Sequence, residues 1–144
     1  MAFPDPVPGL VIRYSYLWLK EHRRGQEEGG KNRPCAIILV VENDGEYRVT
    51  VLPISHMPPA DPNLAVEIPP PAKRRLNLDD ERSWVVLTEA NRFTWPGPDL
   101  RPFTPGDPTS VCHGPLPFAL FNEIRTKLVA AIRAKRVSLV ARSP

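Results

Sequence analysis

The sequence predicts a β-rich α+β fold, a small and strongly curved antiparallel barrel with a C-terminal helix. Most apolar residues fall in short runs rich in β-branched and aromatic side chains, as strands do. The chain has 19 prolines and only 8 glycines, which favours extended segments and rigid turns over a helical bundle. A helical spacing of apolar residues occurs only near the end of the chain. A chain of 144 residues predicts one domain, with its core at 9–136 and terminal extensions at 1–8 and 137–144.

The first half of the chain predicts a strand, a loop and a hairpin. Residues 10–19 are rich in β-branched and aromatic side chains and predict a strand, whereas residues 20–32 are polar and predict a long loop. Residues 35–41 are uninterruptedly apolar and predict a central strand buried on both faces. Asp44-Gly45 is a hairpin turn signal, because both residues tolerate positive φ. We therefore expect residues 47–54 to return as a strand antiparallel to 35–41.

The second half predicts short strands and then a helix. Residues 64–68 predict a strand that ends at three prolines, residues 73–80 a turn or short helix, and residues 83–88 a buried strand extended by 93–95. Residues 97–114 predict a long loop. After Pro117, a residue type favoured at a helix start, apolar side chains recur at helical spacing. These positions are Phe121, Ile124, Leu128, Ala131 and Ile132.

Composition limits the partners and the location. The formal net charge of +3 is compatible with a polyanionic partner without requiring one. The longest apolar run falls far short of the roughly 20 residues that a membrane span needs. We expect a cytoplasmic protein without membrane contact. Cys35 and Cys112 have no close histidine or cysteine at metal-ligand spacing, so we expect no metal, and we expect no cofactor. Because we expect an intracellular location, we expect both cysteines to be reduced thiols.

Arg33 and Ser55 are the leading catalytic candidates. Arg33 lies where a polar loop meets a buried strand, and Pro34 restricts its backbone to extended geometry. The predicted hairpin places Arg33 just before one strand and Ser55 just after the other, at the same end of the sheet. A guanidinium and a hydroxyl at one place suit a phosphate. Cleavage of an RNA phosphate would also need a base for the 2′-OH and an acid for the 5′-oxygen, but no metal.

Other polar residues are weaker candidates. His56 could act as an acid or base, although a histidine before Met57-Pro58-Pro59 is more often structural. The strand end at residues 88–92 is a third candidate group. Which group would carry the proton stays open between His56, a loop carboxylate and Arg33 itself. The substrate-binding candidates, some of which could equally be solvated surface residues, are Glu27, Glu28, Lys31, Asn91 and Arg92.

The order of these motifs resembles that of a known family. Residues 25–34, GQEEGGKNRP, resemble the Gly-x-Glu-Gln-x-x-x-Arg-Pro loop of the MazF/PemK toxins of bacterial type II toxin-antitoxin systems. Residues 51–56 are similar to the family's strand ending in Pro-Ile-Thr or Pro-Ile-Ser, and residues 84–92 to its Val-x-x-x-Gln-Ile-Arg strand. Residues 114–132 resemble its closing helix. The chain departs from the pattern at Leu10, at Glu28 and by one extra residue before Arg33.

The resemblance implies an SH3-like barrel and a homodimer. It also implies a growth inhibitor that cuts single-stranded RNA without a metal, through 2′-OH attack, and that is inhibited by a small antitoxin. The family's catalytic arginine falls on Arg33 and its Thr/Ser on Ser55. Two alternatives stay open. One is a non-catalytic toxin of the CcdB type, which would bind DNA gyrase through the last helix and residues 137–144, and the other is a protein-interaction module that uses the proline-rich loops.

Overall fold

Residues 3–142 are described by a computed structural model, in which a mainly antiparallel sheet curls into a half-barrel and carries a C-terminal helix. The predicted fold class is confirmed. Residues 1–2 and 143–144, parts of the expected terminal extensions, lie outside the described residues. The strands are β1 (Leu10–Tyr14), β2 (Arg33–Asn43), β3 (Glu46–Ser55), β4 (Ala65–Glu67), β5 (Trp84–Val86), β6 (Glu89–Trp95), β7 (Cys112–Pro115) and β8 (Ser138–Ala141). The helices are α1 (Leu19–Arg23), α2 (Pro70–Arg75) and α3 (Phe118–Arg133), with 3₁₀ turns at Pro62–Leu64 and Pro108–Val111.

Strand β3 is the centre of the sheet. The strand order is β4-β5-β3-β2-β1-β7, and β6 also pairs with β3 while β8 pairs with β6 in parallel. Along β3, the first part from Tyr47 to Val51 pairs with β6, and the end at Ile54 and Ser55 pairs with β5. Because two different strands share one edge of β3, the sheet divides at this point and curls. The end of β3 therefore lies at the mouth of the curl.

The β2–β3 hairpin confirms its predicted turn. Asp44 and Gly45 have φ values of 54° and 81°, the positive-φ conformation expected for a tight hairpin turn. The prediction that residues 35–41 are buried on both faces is wrong in its second half, because Leu39 and Val41 are 52% and 49% exposed. The register of β1 against β2 runs from Arg33 only to Ala36. Beyond Ala36, β2 keeps β3 as its neighbour but loses β1.

The predicted first strand is too long, and the predicted loop after it contains a helix. β1 ends at Tyr14, where the Ser15 N–H turns to the Asp99 carbonyl at 2.9 Å. Helix α1 begins at Leu19, although residues 20–32 were expected to be loop. Glu21 stabilises this start, because its carboxylate accepts the N–H of Trp18 at 3.1 Å.

Two strands occur where none was expected. β7 lies at the end of the predicted 97–114 loop and pairs with β1. β8 lies in the expected terminal extension 137–144 and pairs with β6, so this extension is part of the sheet as far as the structure describes it. Both strands are four residues long and lack a clear alternation of apolar and polar residues. The turn or short helix expected at 73–80 overlaps helix α2, which begins earlier, at Pro70, and ends at Arg75.

Apolar residues pack in two clusters, one on each side of β1 and β3. The first cluster lies under α3 and includes Val11, Leu52, Ile54, Ile124 and Leu128. The second lies inside the curl and includes Ile12, Tyr14, Val49, Val51, Phe93 and Trp95. Helix α3 confirms the predicted spacing in part, because it buries Leu120, Ile124, Leu128 and Ala131 but leaves Ile132 54% exposed. Within residues 3–142, no helix has the length and apolar character needed to cross a bilayer.

Candidate functional site

A cleft of about 1080 Å³ opens where β2 begins and β3 ends. Its cationic lining consists of Lys20, Arg23, Arg24, Lys31 and Arg33. Its other ionisable lining residues are His56, Asp79 and Glu89, and Trp18 and Ser55 also line it. Five cations against two carboxylates make the cleft electropositive, so its lining favours an anionic ligand.

Arg33 has free hydrogen-bond donors in this cleft. Its guanidinium carbon lies 4.9 Å from the ring centroid of Trp18, a cation–π contact. Nη1 makes one long hydrogen bond of 3.5 Å to the Ile54 carbonyl. Nε is buried and has no hydrogen-bond partner, and none of the carboxylates in residues 3–142 forms an ion pair with Arg33. Nη2 makes no hydrogen bond within residues 3–142 and is not among the sealed, unpartnered atoms, so it is the guanidinium donor open to an anion in the cleft.

A β-bulge sets Ser55 opposite Arg33. Near the turn Asn43 pairs with Glu46, and a regular hairpin continuing this register would place Arg33 opposite His56. The register shifts by one residue between Ile37 and Leu39, so that Cys35 pairs with Pro53. Continued for two residues, this register puts Arg33 opposite Ser55. The expectation that these two residues share one end of the sheet is confirmed.

Ser55 is partly engaged by its own backbone. Its Oγ accepts a hydrogen bond from the N–H of Met57 at 3.1 Å. This is the local backbone contact that serines after strands often make. The bond uses an acceptor lone pair and leaves the hydroxyl hydrogen available to donate. Ser55 can therefore both brace the following turn and donate to a ligand in the cleft.

His56 is held between two carboxylates. Its Nε2 lies 2.7 Å from Asp79 Oδ2 and its Nδ1 lies 3.1 Å from Glu81 Oε2. Asp79 also accepts from the buried ammonium of Lys73 at 2.8 Å, and this hydrogen bond is the main reason why the Asp79 pKa is lowered. Ligand atoms of His56, Asp79 and Glu81 lie within 4.8 Å of one another, as in some metal sites, but Lys73 already supplies a cation to Asp79. With both ring nitrogens engaged, His56 is poorly placed to exchange a proton with a substrate.

Glu89 is a cleft residue that the sequence did not single out from the candidate segment 88–92. It is the first residue of β6 and is half-buried. Its Oε1 accepts from the hydroxyl of Tyr16 at 3.1 Å and from the N–H of Leu19 at 2.8 Å. Burial raises the pKa of the Glu89 carboxyl. The sequence offered one signal for Glu89: a carboxylate directly before a run of residues that enter the buried part of the sheet.

The basic residues on and just after α1 were also missed. Lys20, Arg23 and Arg24 are exposed and line the cleft. The segment was predicted as a solvated loop, so no single direction was assigned to its charges. The signal was the density of cations, since Lys20, Arg23 and Arg24 lie within one short stretch that also contains His22.

The loop before Arg33 is held at several points. The carbonyl of Glu27 accepts from Arg142 Nη2 at 3.1 Å, and the N–H of Gly30 donates to Glu21 Oε2 at 3.2 Å. Gly29 lies so close to the Tyr16 carbonyl that any Cβ at this position would clash with it. These anchors fix the approach to Arg33. Lys31, the last cation of the loop, lines the cleft.

Four of the expected substrate-binding residues do not line the cleft. Glu27 and Glu28 are exposed on the loop outside it. Asn91 is fully buried, and its side-chain amide accepts from the Leu17 N–H at 2.9 Å and donates to the Leu17 carbonyl at 2.8 Å. The Asn91 amide therefore gives the Leu17 backbone the acceptor and the donor that a neighbouring strand would otherwise supply. It does not contact the cleft. Arg92 pairs with Thr50 within the sheet, away from the cleft.

Comparison with known proteins adds no assignment to this site. No protein-family model matches the chain, and no curated protein does. The likeness to the MazF/PemK toxins therefore stays a prediction from the motifs. The site is defined by the geometry around Arg33, Ser55 and Glu89.

Proposed function

We propose that the protein is a metal-independent endoribonuclease that cleaves single-stranded RNA through attack of a 2′-OH on the adjacent phosphate. The state of Arg33 carries this proposal. It is a partly buried guanidinium whose Nη2 has no hydrogen-bond partner and which has no carboxylate partner in residues 3–142, in a cleft with four further cations. Such a group suits a phosphate diester. The ordered motifs that resemble the MazF/PemK family support the same activity.

The cleft residues fit the requirements of this reaction. Arg33 would bind the non-bridging oxygens and stabilise the charge that develops around phosphorus. The Ser55 hydroxyl, which the strand register places opposite Arg33, would donate a further hydrogen bond to the phosphate. Trp18 lies under the Arg33 guanidinium and holds it against the cleft. Because the nucleophile belongs to the RNA itself, no metal is needed to generate it.

The resemblance extends the proposal to partners. We infer a cytoplasmic homodimer that acts as a growth inhibitor and is inhibited by a small antitoxin. An acidic, disordered tail of that antitoxin would compete with RNA for the cationic cleft, because carboxylates and phosphates seek the same guanidinium donors.

Incubation of the purified protein with mixed single-stranded RNA in EDTA tests the activity. We expect fragments ending in a 2′,3′-cyclic phosphate. Arg33→Ala should slow cutting by about 10²-fold or more, the usual effect of losing a central transition-state donor. Arg48→Ala is the matched control, because Arg48 is exposed on β3 and lies outside the cleft. Absence of cutting by the unmodified protein, or equal cutting by Arg33→Ala, would contradict the proposal.

The structure gives the gyrase-binding alternative no support. That alternative requires an exposed, apolar segment after α3. Strand β8 instead occupies residues 138–141 of this segment; Val140 is 1% exposed and the following Arg142 is 8% exposed, whereas Leu139 and Ala141 are exposed. One observation favours the interaction-module alternative. Met57 and Phe103, in the proline-rich segments, are 76% and 52% exposed and could contact a partner protein. Normal growth on overexpression of the protein would favour that module over the nuclease.

A further inference from the structure

We propose that His113, Phe103 and Arg13 form an acid-sensitive latch, which holds residues 101–107 against β1 while His113 is neutral and releases them when its imidazole gains a proton. The three side chains come from β7, from the segment after β6 and from β1. They lie outside the cleft lining, so the latch does not depend on the proposed ribonuclease activity.

The imidazole of His113 is held in one neutral form. Its Nδ1 lies 3.1 Å from the carbonyl oxygen of Leu76, the residue after α2. A carbonyl oxygen can only accept, so Nδ1 carries the hydrogen and Nε2 carries the lone pair. Nε2 is sealed from solvent and has no hydrogen-bond partner within residues 3–142. A proton added there would create a buried N–H donor without an acceptor, which is costly.

Phe103 covers this imidazole and is itself held by Arg13. The rings of Phe103 and His113 meet edge to face, with centroids 4.9 Å apart. The guanidinium carbon of Arg13 lies 4.8 Å from the centroid of the same Phe103 ring, and Arg13 Nη1 donates to the Pro102 carbonyl at 3.0 Å. Phe103 is half exposed, so its ring separates the imidazole from solvent. Access of water to His113 therefore requires movement of Phe103.

The surroundings of His113 oppose its protonation. Burial is the main reason why the pKa of His113 is lowered; the hydrogen bond to Leu76 acts against this effect, and the positive charge of Arg13 adds to it. Arg13 forms no ion pair within residues 3–142, so its charge is not neutralised. The titratable or charged residues on the neighbouring elements that do not act on the ring are Lys73, Arg74, Arg75, Arg101, Asp107 and Cys112.

The latch joins the 101–107 segment to the strand pair that carries Arg33. The N–H of Arg101 donates to the Arg13 carbonyl at 3.0 Å, so both the backbone and the side chain of Arg13 hold the segment. In the register of β1 against β2, Arg13 pairs with Pro34, the residue after Arg33. Release of the segment would remove a neighbour from this end of β1.

The closed latch loses stability as the pH falls. In the open form His113 is solvated and gains a proton at about pH 6.5, as an ordinary histidine does. In the closed form it gains a proton only at lower pH, because it is buried. The open form therefore binds more protons below about pH 6.5, and linkage shifts the equilibrium toward it. A difference of about one pH unit between the two forms gives about a tenfold rise in the opening constant.

Hydrogen exchange of the full chain, followed by mass spectrometry, tests the latch without RNA. Rates at about pH 7.5 and about pH 5, on either side of the histidine range, are each divided by the intrinsic exchange rate at that pH. Peptides covering 101–107 should open about tenfold more at the acidic pH, and peptides from α3 should show no comparable change. Equal opening of 101–107 at both pH values, or the same rise in α3, would overturn the latch.

His113→Asn removes the titrating group and keeps a donor. The asparagine amide can still donate to the Leu76 carbonyl, so the 101–107 segment should stay closed and its pH dependence should disappear. His22→Gln and His56→Gln, at the other two histidines of the chain, should keep the pH dependence of the unmodified protein. A pH dependence that survives in His113→Asn would assign the effect to another group and end the proposal.

An NMR titration of the His113 ring gives a second measure if His113→Asn folds poorly. In the unmodified protein the ring should gain its proton below about pH 6.5, the ordinary histidine value. Phe103→Leu, at a half-exposed position, should move this titration back toward the ordinary value, because the cover over the imidazole is reduced. Titration at or above the ordinary value in the unmodified protein would mean that Phe103 stabilises the imidazolium, which contradicts the latch.

Discussion

Two partly or fully buried arginines have opposite environments in this protein. Arg142 is saturated: its guanidinium donates to the Ser15 carbonyl at 2.8 Å and to Asn91 Oδ1 at 3.1 Å, and pairs with Asp99 at 2.9 Å. Arg33 makes one long hydrogen bond, from Nη1, and within residues 3–142 its Nη2 in the cleft has no partner. A saturated guanidinium stabilises the fold, whereas an unsaturated one at a cleft has bonds left for a ligand. Both residues are arginines near a strand end, so sequence alone does not separate their roles.

Arg142→Met should destabilise the protein by about 3 kcal/mol, because it leaves the buried Asp99 carboxylate with only the longer contact of 3.7 Å to Arg101. The side chains of Arg142 and Asp99 are only 2% and 11% exposed. Urea unfolding followed by circular dichroism measures the change. Arg136→Met, at an exposed arginine, should stay within about 0.5 kcal/mol of the unmodified protein. Equal stability of the two variants would mean that the Arg142 contacts contribute nothing net.

At this scale, sequence reasoning predicted part of the site. Arg33 and Ser55 were found because a hairpin signal relates their positions. From the segment 88–92 we selected Asn91 as a substrate-binding residue and not Glu89, but Asn91 is buried against the Leu17 backbone and Glu89 lines the cleft. Glu89 and Asn91 lie two residues apart on one strand and therefore share a face. The distant segment 16–19 contacts both of them, through Tyr16 and Leu19 at Glu89 and through Leu17 at Asn91.

At the scale of elements, the two basic helices differ in their relation to the cleft. Helix α1 and the residue after it contribute Lys20, Arg23 and Arg24 to the cleft lining. Helix α3 carries exposed Arg125 and Arg133 on a face that lies outside it. The position of α1 at the mouth of the sheet makes α1 the better candidate for RNA contact.

Replacing Lys20, Arg23 and Arg24 together by alanine should weaken single-stranded RNA binding. Each lost phosphate contact lowers the slope of log affinity against log salt by about 0.7, so the slope should fall by about 2. Fluorescence anisotropy with a 2′-O-methylated RNA, which cannot be cut through its 2′-oxygen, measures affinity across a potassium chloride series.

The matched control replaces three exposed arginines at α3 and just after it, Arg125, Arg133 and Arg136. It removes the same charge, so a general loss of positive potential would affect both variants alike. We expect the salt slope of this control to stay close to that of the unmodified protein. If the two triple variants lose the same affinity and slope, α1 has no special role in binding RNA.

At the scale of the whole molecule, the sheet couples two apolar clusters. Along β3, Val51 belongs to the cluster inside the curl, whereas Leu52 belongs to the cluster under α3. Along β1, Ile12 and Val11 are divided in the same way. Because adjacent residues of one strand serve both clusters, loss of either cluster removes support from the same strands. We therefore expect the two clusters to unfold together.

Ile124→Ala, in the cluster under α3, should lower stability by about 2–5 kcal/mol. Ile124 is fully buried, and its loss leaves a cavity beneath the helix. The unfolding midpoints from helical circular dichroism and from tryptophan fluorescence, to which Trp95 in the other cluster contributes, should shift together. Val129→Ala on the same helix, where Val129 is 43% exposed, should change both midpoints little. A shift seen by circular dichroism alone would show that the clusters unfold independently.

The sequence by itself determined the local features: the Asp44-Gly45 turn, helix α3 and the predominance of short strands. These depend on φ preferences and on residue periodicity, which neighbouring residues specify. The tertiary structure decided the site, because its parts come from pairings between distant segments. The bulge between Ile37 and Leu39 sets Ser55 opposite Arg33, and β7 and β8 join strands far away in the chain. Burial by such partners makes Asn91 structural and leaves Glu89 with one free oxygen in the cleft, and no local pattern encodes that difference.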